Sequence, residues 1–274
     1  MPETNTCTLI GSDKGGVGKS FISQLFVQAY DRVERPLTVI EIDHQRKLTS
    51  ALGNRVDLSL DAWASVSAGR TDRHAAEAFY NPVYEAWTKG ESLTDLGANV
   101  TSSLMEWARV HDIATLAEDE DVRFRFVAMA TPDDQALRSA ARAIEDARRS
   151  LGERADIFLV LNVITEGAGF RPYHNTDEWR HLTRLMHTHQ VTTCEVPLCE
   201  SVLLEYGRSQ GLTVIDILQM DNAGLAKLGE ACGLDRITLR THYTRLKEWI
   251  RNFQVALGPL LSQQRQTAFQ QAAE

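Results

Sequence analysis

Four cysteines in 274 residues are few, and Cys7, Cys194, Cys199 and Cys232 form no CxxC pair and no cluster with histidine. A disulfide framework and a structural zinc site are thereby excluded as organising devices, and a reducing compartment fits best. Long apolar runs are missing too. No stretch approaches the roughly 18 residues needed to cross a bilayer, and "MPETNTCTLIGS" has no basic segment followed by an apolar one. The expectation is a cytoplasmic protein, neither secreted nor integral to a membrane. Positive charge is also short. With 29 Lys and Arg against 37 Asp and Glu, the net charge of -8 argues against wholesale coating of nucleic acid and confines any such contact to a local basic face. Internal repeats and low-complexity linkers are absent, apart from a Gln/Ala-rich stretch after Ser262 that is expected to fray.

Apolar residues make up 43% of the chain, enough for one large α/β core. Residues 6–11 read as a buried strand, followed by a glycine-rich loop and a helix over 20–30 that carries Phe21, Leu25 and Phe26. "PLTVIEID" (36–43) reads as the next strand, and "DLSLDAWASV" and "DRHAAEAFYNPVYEAW" as helices. "ESLTDL", which carries Asp95 near its end, "VRFRFVAMAT" (122–131), "ADIFLVLNVI" (155–164) and "TTCEVPL" complete the strands, with a long helix over "DDQALRSAARAIEDARRSL". This alternation predicts a mainly parallel, twisted sheet with helices on both faces. A helical tail follows from about Asn222. The expected division is a domain over 1–220 and a helical extension over 221–274 packed on it.

The chemistry starts at "TLIGSDKGGVGKSFISQLF". A glycine turn between a strand and a helix aims successive N–H groups inward, and the helix N-terminus adds partial positive charge, so a polyphosphate fits there. Gly15, Gly16, Val17, Gly18, Lys19, Ser20 and Phe21 are the candidate nucleotide-binding residues. Lys19 reaches the β- and γ-phosphates, and the Ser20 hydroxyl binds Mg²⁺.

Lys14, five positions before Lys19, makes "KGGVGKS" resemble the deviant phosphate loop of the ParA/MinD family of ATPases. The resemblance implies a P-loop fold that binds ATP and Mg²⁺, with the first lysine crossing a homodimer interface to the nucleotide of the partner subunit. Asp13 departs from the pattern: a carboxylate beside a polyphosphate is unfavourable unless it points away or pairs with a cation. "EIDHQRKLT" resembles the family's DxDPQ segment, so Asp43 matches the aspartate that orients or deprotonates the attacking water and Gln45 its glutamine. Glu41 replaces an aspartate there, and His44 a proline. "LTDLGANV" resembles the Walker B and switch-II segment, which implies that Asp95 holds the Mg²⁺ shell and that the Gly97 N–H senses the γ-phosphate. Asn162 stands where many members read the adenine edge, and "EVPLC" matches a strand that flanks the base. The order of "DLGAN", "TPDDQAL" and the closing helix is similar to the TraL-type branch of conjugative transfer regions.

In the tail, helical periodicity puts Leu239, Tyr243, Leu246, Ile250 and Phe253 on one stripe, with Arg236, Arg240, Lys247 and Arg251 on the opposite side. From Asp221 to Glu274, seven Lys/Arg meet five Asp/Glu, a net +2. This face is either solvated or a contact to nonspecific DNA. "LAKLGEACGLDRITLRTHYTRLKEW" also has a helix-turn-helix rhythm, which arises readily by chance in tails; this tail is expected to lack core partners of its own. The leading functional expectation is a nucleotide-switched dimeric ATPase that positions or loads a macromolecular cargo, in DNA partition or conjugative transfer, stimulated by a protein partner. The alternatives are a phosphate-transferring metabolic enzyme of the dethiobiotin synthetase type, an iron–sulfur carrier, and a nucleotide-sensing module without turnover.

Overall fold

The computed structural model describes residues 5–32, 34–64 and 78–261. Its centre is a seven-stranded sheet in the order β3-β2-β4-β1-β5-β6-β7, built from β1 (Asn5–Gly11), β2 (Thr38–Ile42), β3 (Leu58–Leu60), β4 (Ser92–Leu96), β5 (Val122–Ala130), β6 (Ala155–Asn162) and β7 (Thr192–Val196). The β1–β4, β1–β5, β2–β3, β2–β4 and β5–β6 pairings are all parallel. Every residue of β4 is buried. Side chains alternate between faces along a strand, so this pattern requires cover on both sides of the sheet, which only crossover helices supply.

After β1 the chain moves to β2 on one side of the sheet, and after β4 it crosses to β5 on the other, leaving β1 between β4 and β5. In an open parallel sheet the crevice at the carboxyl end of such a reversal is where ligands bind. The loop after β1 and the first turn of α1 (Lys19–Arg32) sit there. Toward the amino ends of β1 and β5, the fully buried Trp87 donates from Nε1 to Thr94 Oγ1 at 3.0 Å and meets Phe124 edge-on at 5.3 Å.

Two sequence readings are corrected. Leu58–Leu60 is not helical: its apolar-polar-apolar alternation pairs with Ile40–Ile42 as edge strand β3. Helical structure resumes only at Ala62, and the rest of "DLSLDAWASV" lies outside the described residues. In "DRHAAEAFYNPVYEAW", residues 72–77 also lie outside them, and the helix that follows is only Asn81–Trp87 (α3). Pro82 sits in its first turn, the one part of a helix that tolerates proline. Short α2 (Lys47–Leu52), α4 (Thr101–Val110), α5 (Ile113–Asp119), the long α6 (Asp134–Leu151) and α7 (Asp177–Thr188) complete the helices around the sheet.

The chain divides into two compact units, one of residues 1–162 with 167–194 and one of 163–166 with 195 onward. The second holds α8 (Val202–Ser209), α9 (Val214–Gln219), α10 (Asn222–Ala231), α11 (Arg236–Ala256) and α12 (Gly258–Leu261). The C-terminal helices do have core partners within this unit. Leu203, Ile217, Leu225, Leu228, Leu239, Leu246 and Phe253 are buried, Tyr243 OH donates to Leu218 O at 3.1 Å, and Trp249 Nε1 donates to Pro197 O at 2.7 Å. On α11 the four cations are exposed, but they flank the apolar stripe rather than oppose it. At about 100° per residue the two rows lie roughly a quarter turn apart, and Lys247 Nζ sits 5.9 Å from the Tyr243 ring centroid.

Candidate active site

Gly16 (φ 80°) and Gly18 (φ 98°) turn the loop through the left-handed region, which L side chains rarely adopt. Among the described residues, no protein acceptor takes the N–H groups of Gly15, Gly16, Val17 or Gly18. Such an unpaired run of amides at a helix start suits an anion. Lys19 Nζ is drawn across the loop and donates to Ser12 O at 2.7 Å and Lys14 O at 2.9 Å. Burial pulls its pKa down to about 8, with Asp95 and then Asp13 opposing that fall. Phe21 lies in the first turn of α1, half-buried.

Lys14 starts the loop. Its N–H is shared between Ser139 Oγ at 3.1 Å and Ser12 Oγ at 3.3 Å, and its Nζ donates to Gln135 Oε1 at 2.7 Å on the exposed surface. Gln135 and Ser139 are presented by α6, whose N-cap Asp133 accepts the Ala136 N–H at 3.0 Å. Asp13 points away from the phosphate position: its carboxylate accepts the N–H and the hydroxyl of Ser102 in the first turn of α4. A helix N-terminus stabilises an anion there, so the electrostatic objection to this residue is met by geometry.

Asp43, buried and one residue past β2, accepts the Gln45 N–H at 3.2 Å. Its neighbour Glu41 has a separate task. The fully buried Glu41 carboxylate accepts the Leu48 N–H at 2.6 Å, the Thr49 N–H at 3.1 Å and the Thr49 hydroxyl. It thus satisfies the otherwise unpaired amides at the start of α2 and fixes the ends of the Asp43–Arg46 segment. Gly97 packs against Asp43 so tightly that an added Cβ would lie 2.5 Å from Asp43 Oδ1. The Gly97 N–H donates to Ile42 O at 2.8 Å, so a γ-phosphate contact requires that bond to be exchanged.

Asp95 closes the site at the end of β4. Burial raises its pKa to about 6, against the lowering pull of the Ser20 and Ser23 hydroxyls and of Lys19. Ser23 Oγ donates to Oδ1 at 2.9 Å, while Oδ2 is buried with no hydrogen-bond partner. An orphaned carboxylate oxygen beside the Ser20 hydroxyl fits a hydrated Mg²⁺, which keeps several waters and takes few protein ligands. Among the described residues no cluster of three or more His, Cys, Asp and Glu offers a fuller metal cage.

Asn162, at the end of β6, donates from Nδ2 to Val17 O at 2.9 Å and braces the loop itself. A Cβ at Gly18 would lie 2.5 Å from that nitrogen. Lys14, Gly15–Ser20, Asp43, Asp95, Gly97 and Asn162 thus gather at the carboxyl ends of β1, β2, β4 and β6. Ser23, Gln135, Ser139 and Ser102 were missed by the sequence reading. Only Ser23 carried a local signal, lying one turn after Lys19 on the same helix; the others reach the loop from distant positions.

No family model matches the sequence, and no curated protein matches it. Among solved structures, MinD cell division protein from Aquifex aeolicus is similar over 84% of this chain and 100% of its own, with 16% identity and a TM-score of 0.46. The MinC:MinD complex from Aquifex aeolicus gives 14% identity, 83% and 95% coverage and a TM-score of 0.44. A McdA–ATP complex from Cyanothece gives 15% identity, 85% and 98% coverage and a TM-score of 0.46. At these values the likeness is one of outline; strand order and loop geometry carry the nucleotide-site reading.

Proposed function

We propose that this chain is a ParA/MinD-like ATPase that acts as a nucleotide-dependent dimerisation switch for positioning a macromolecular cargo. The observation that supports this best is the loop: unpaired amides from Gly15 to Gly18 and Lys19 beside them, with Ser20 and the orphaned Asp95 oxygen at the Mg²⁺ position. The amides and Lys19 bind the phosphates of ATP. Ser20 and Asp95 would hold Mg²⁺, which would supply charge neutralisation at the phosphates. Asp43, braced by Glu41 through α2 and by Gly97, orients the attacking water or accepts its proton. Lys14 leaves Gln135 and crosses to the phosphates of the partner subunit. Hydrolysis removes that link, and the pair separates.

A nucleotide-sensing module without turnover drew its support from Asp13 and Glu41. Both carboxylates are directed to helix starts instead, so neither stands against catalysis. The exposed Arg236, Arg240, Lys247 and Arg251 of α11 are the proposed contact to DNA. Steady-state ATP hydrolysis, measured beside nucleotide binding, tests the reading. Lys19→Ala is expected to lose both, Asp43→Ala to bind without turnover, and Lys14→Ala to bind without forming the active pair. Undiminished hydrolysis in Asp43→Ala would overturn the assignment of the water-activating residue.

A further inference from the structure

The second unit contains two helices, α10 and α11, for which the ATPase chemistry has no use. α10 stops at Ala231 and α11 starts at Arg236, with Gly233 at φ 69° turning the chain between them. The helices meet at very close range: a Cβ on Gly229 would lie 2.6 Å from Leu239 Cδ2, and Leu225, Leu228 and Leu239 are buried around that contact. A side chain at 229 would push them apart. Asp235 caps α11 by accepting the Ile237 N–H at 2.8 Å and the Thr238 N–H at 3.0 Å, and Thr238 Oγ1 adds a third bond at 2.6 Å. Its carboxylate is therefore occupied locally.

We propose that α10 and α11 form a helix-turn-helix that seats the N-terminal half of α11 in the major groove of duplex DNA and reads base edges there. That half presents Arg236, Ile237, Arg240, Thr241 and Thr244 as exposed residues. At roughly 100° per residue they cover one continuous arc. Two guanidinium forks suit the paired acceptors of guanine, and an apolar side chain suits the thymine methyl. Ile237 is 80% exposed, an unusual place for an isoleucine at the start of a helix unless something covers it. Lys247 and Arg251 extend the cationic row along the helix, and from Arg236 the row spans about 22 Å, where the flanking phosphates of the groove run. Exposed Glu230 and Glu248 lie on the helices and exposed Asp221 and Asp235 at their N-caps, against six exposed cations, Lys227, Arg236, Arg240, Arg245, Lys247 and Arg251. The first helix of such a motif crosses the backbone while the second enters the groove, and it is α11, the longer and more cationic helix, that stands second.

This inference rests on the packing of α10 and α11 and is independent of the ATPase reading, although it gives the proposed cargo a chemistry. The test is selection of bound duplexes from a random-sequence DNA pool by the full chain, with and without ATP and Mg²⁺. Binding of a fluorescent ATP analogue is followed in the same samples. Enrichment of a defined sequence is expected. Arg236→Ala and Arg240→Ala should each weaken binding of the enriched duplex by roughly 5- to 150-fold and relax the selected sequence. Lys247→Ala should weaken all duplexes alike and lower the salt dependence by about one unit. Binding without enrichment, enrichment indifferent to both arginine variants, or no binding while the ATP analogue binds normally would each overturn the proposal.

Discussion

Alanine substitution along the phosphate loop should produce a graded series whose order the backbone dictates. Gly15 lies outside the left-handed region, and its added Cβ would stand 3.8 Å from Ala98 Cβ, a normal contact. Gly16 has φ 80° with nothing within 4 Å of a Cβ, so Gly16→Ala meets only the left-handed penalty of about 1–2 kcal/mol. Gly18 has φ 98°, and its Cβ would lie 2.5 Å from Asn162 Nδ2. Gly18→Ala therefore adds the loss of the Asn162–Val17 hydrogen bond, about 1 kcal/mol net, to a similar strain. The total of about 2–3 kcal/mol is lost from the stability of the ligand-free fold, where these loop angles and this bond are already present. Gly16→Ala should cost about 1–2 kcal/mol, and Gly15→Ala should stay within about 0.5 kcal/mol. Denaturant unfolding of the ligand-free variants measures the series. Equal losses at all three positions, or the greatest at Gly15, would refute the claim that backbone angle and the Asn162 brace set this loop.

Three further outcomes follow from the site. Glu41→Gln should lower stability by about 1–3 kcal/mol, because the charge-assisted cap on α2 is weakened in a buried place; turnover should fall with it while ATP affinity holds, and wild-type turnover would contradict the bracing role. Lys19 has a native pKa of about 8 against an ordinary 10.5, so the ligand-free protein holds fewer protons than the unfolded chain between those values and gains stability as pH rises through them. Phosphate binding restores the charge, so calorimetry at pH 8 in buffers of different ionisation enthalpy should detect uptake of about half a proton, and little at pH 7. Asp95 runs the other way: its native pKa of about 6 against 3.8 means that the ligand-free fold loses stability as pH rises between those values. Mg²⁺ needs the ionised form, so Mg²⁺-dependent nucleotide affinity should weaken as pH falls below about 6; a flat profile from pH 5 to 7 would contradict Asp95 as the metal-shell carboxylate.

The sheet and the loop were legible in the sequence because their signals are local. The apolar runs of β1, β5 and β6 and the glycine and lysine spacing of residues 14–20 need no knowledge of the rest of the chain. β3 escaped because three residues of alternation cannot outweigh a helical-looking neighbourhood, and its pairing with β2 is what makes it a strand. The sequence named residues that the fold gathers at the carboxyl ends of the strands, but not what restrains them. Asp13 looked like a liability until Ser102, 89 residues away, was seen to hold it. Lys14 and Gln135 are separated by 121 residues, and no spacing rule reports such a meeting. The tail failed in a different way. Its stripe omitted Trp249, which is buried and bonded to Pro197 O, and its expected lack of core partners overlooked α8 and α9 just upstream.

The most direct test of the switch is the mass of the Asp43→Ala protein in sedimentation equilibrium with ATP and Mg²⁺, with ADP and Mg²⁺, and with Lys14→Ala added. The account predicts twice the 30.7 kDa chain mass with ATP alone, a single chain mass with ADP, and loss of the pair when Lys14 is removed while ATP stays bound. A single chain mass in all three states, with ATP occupancy confirmed, would contradict it.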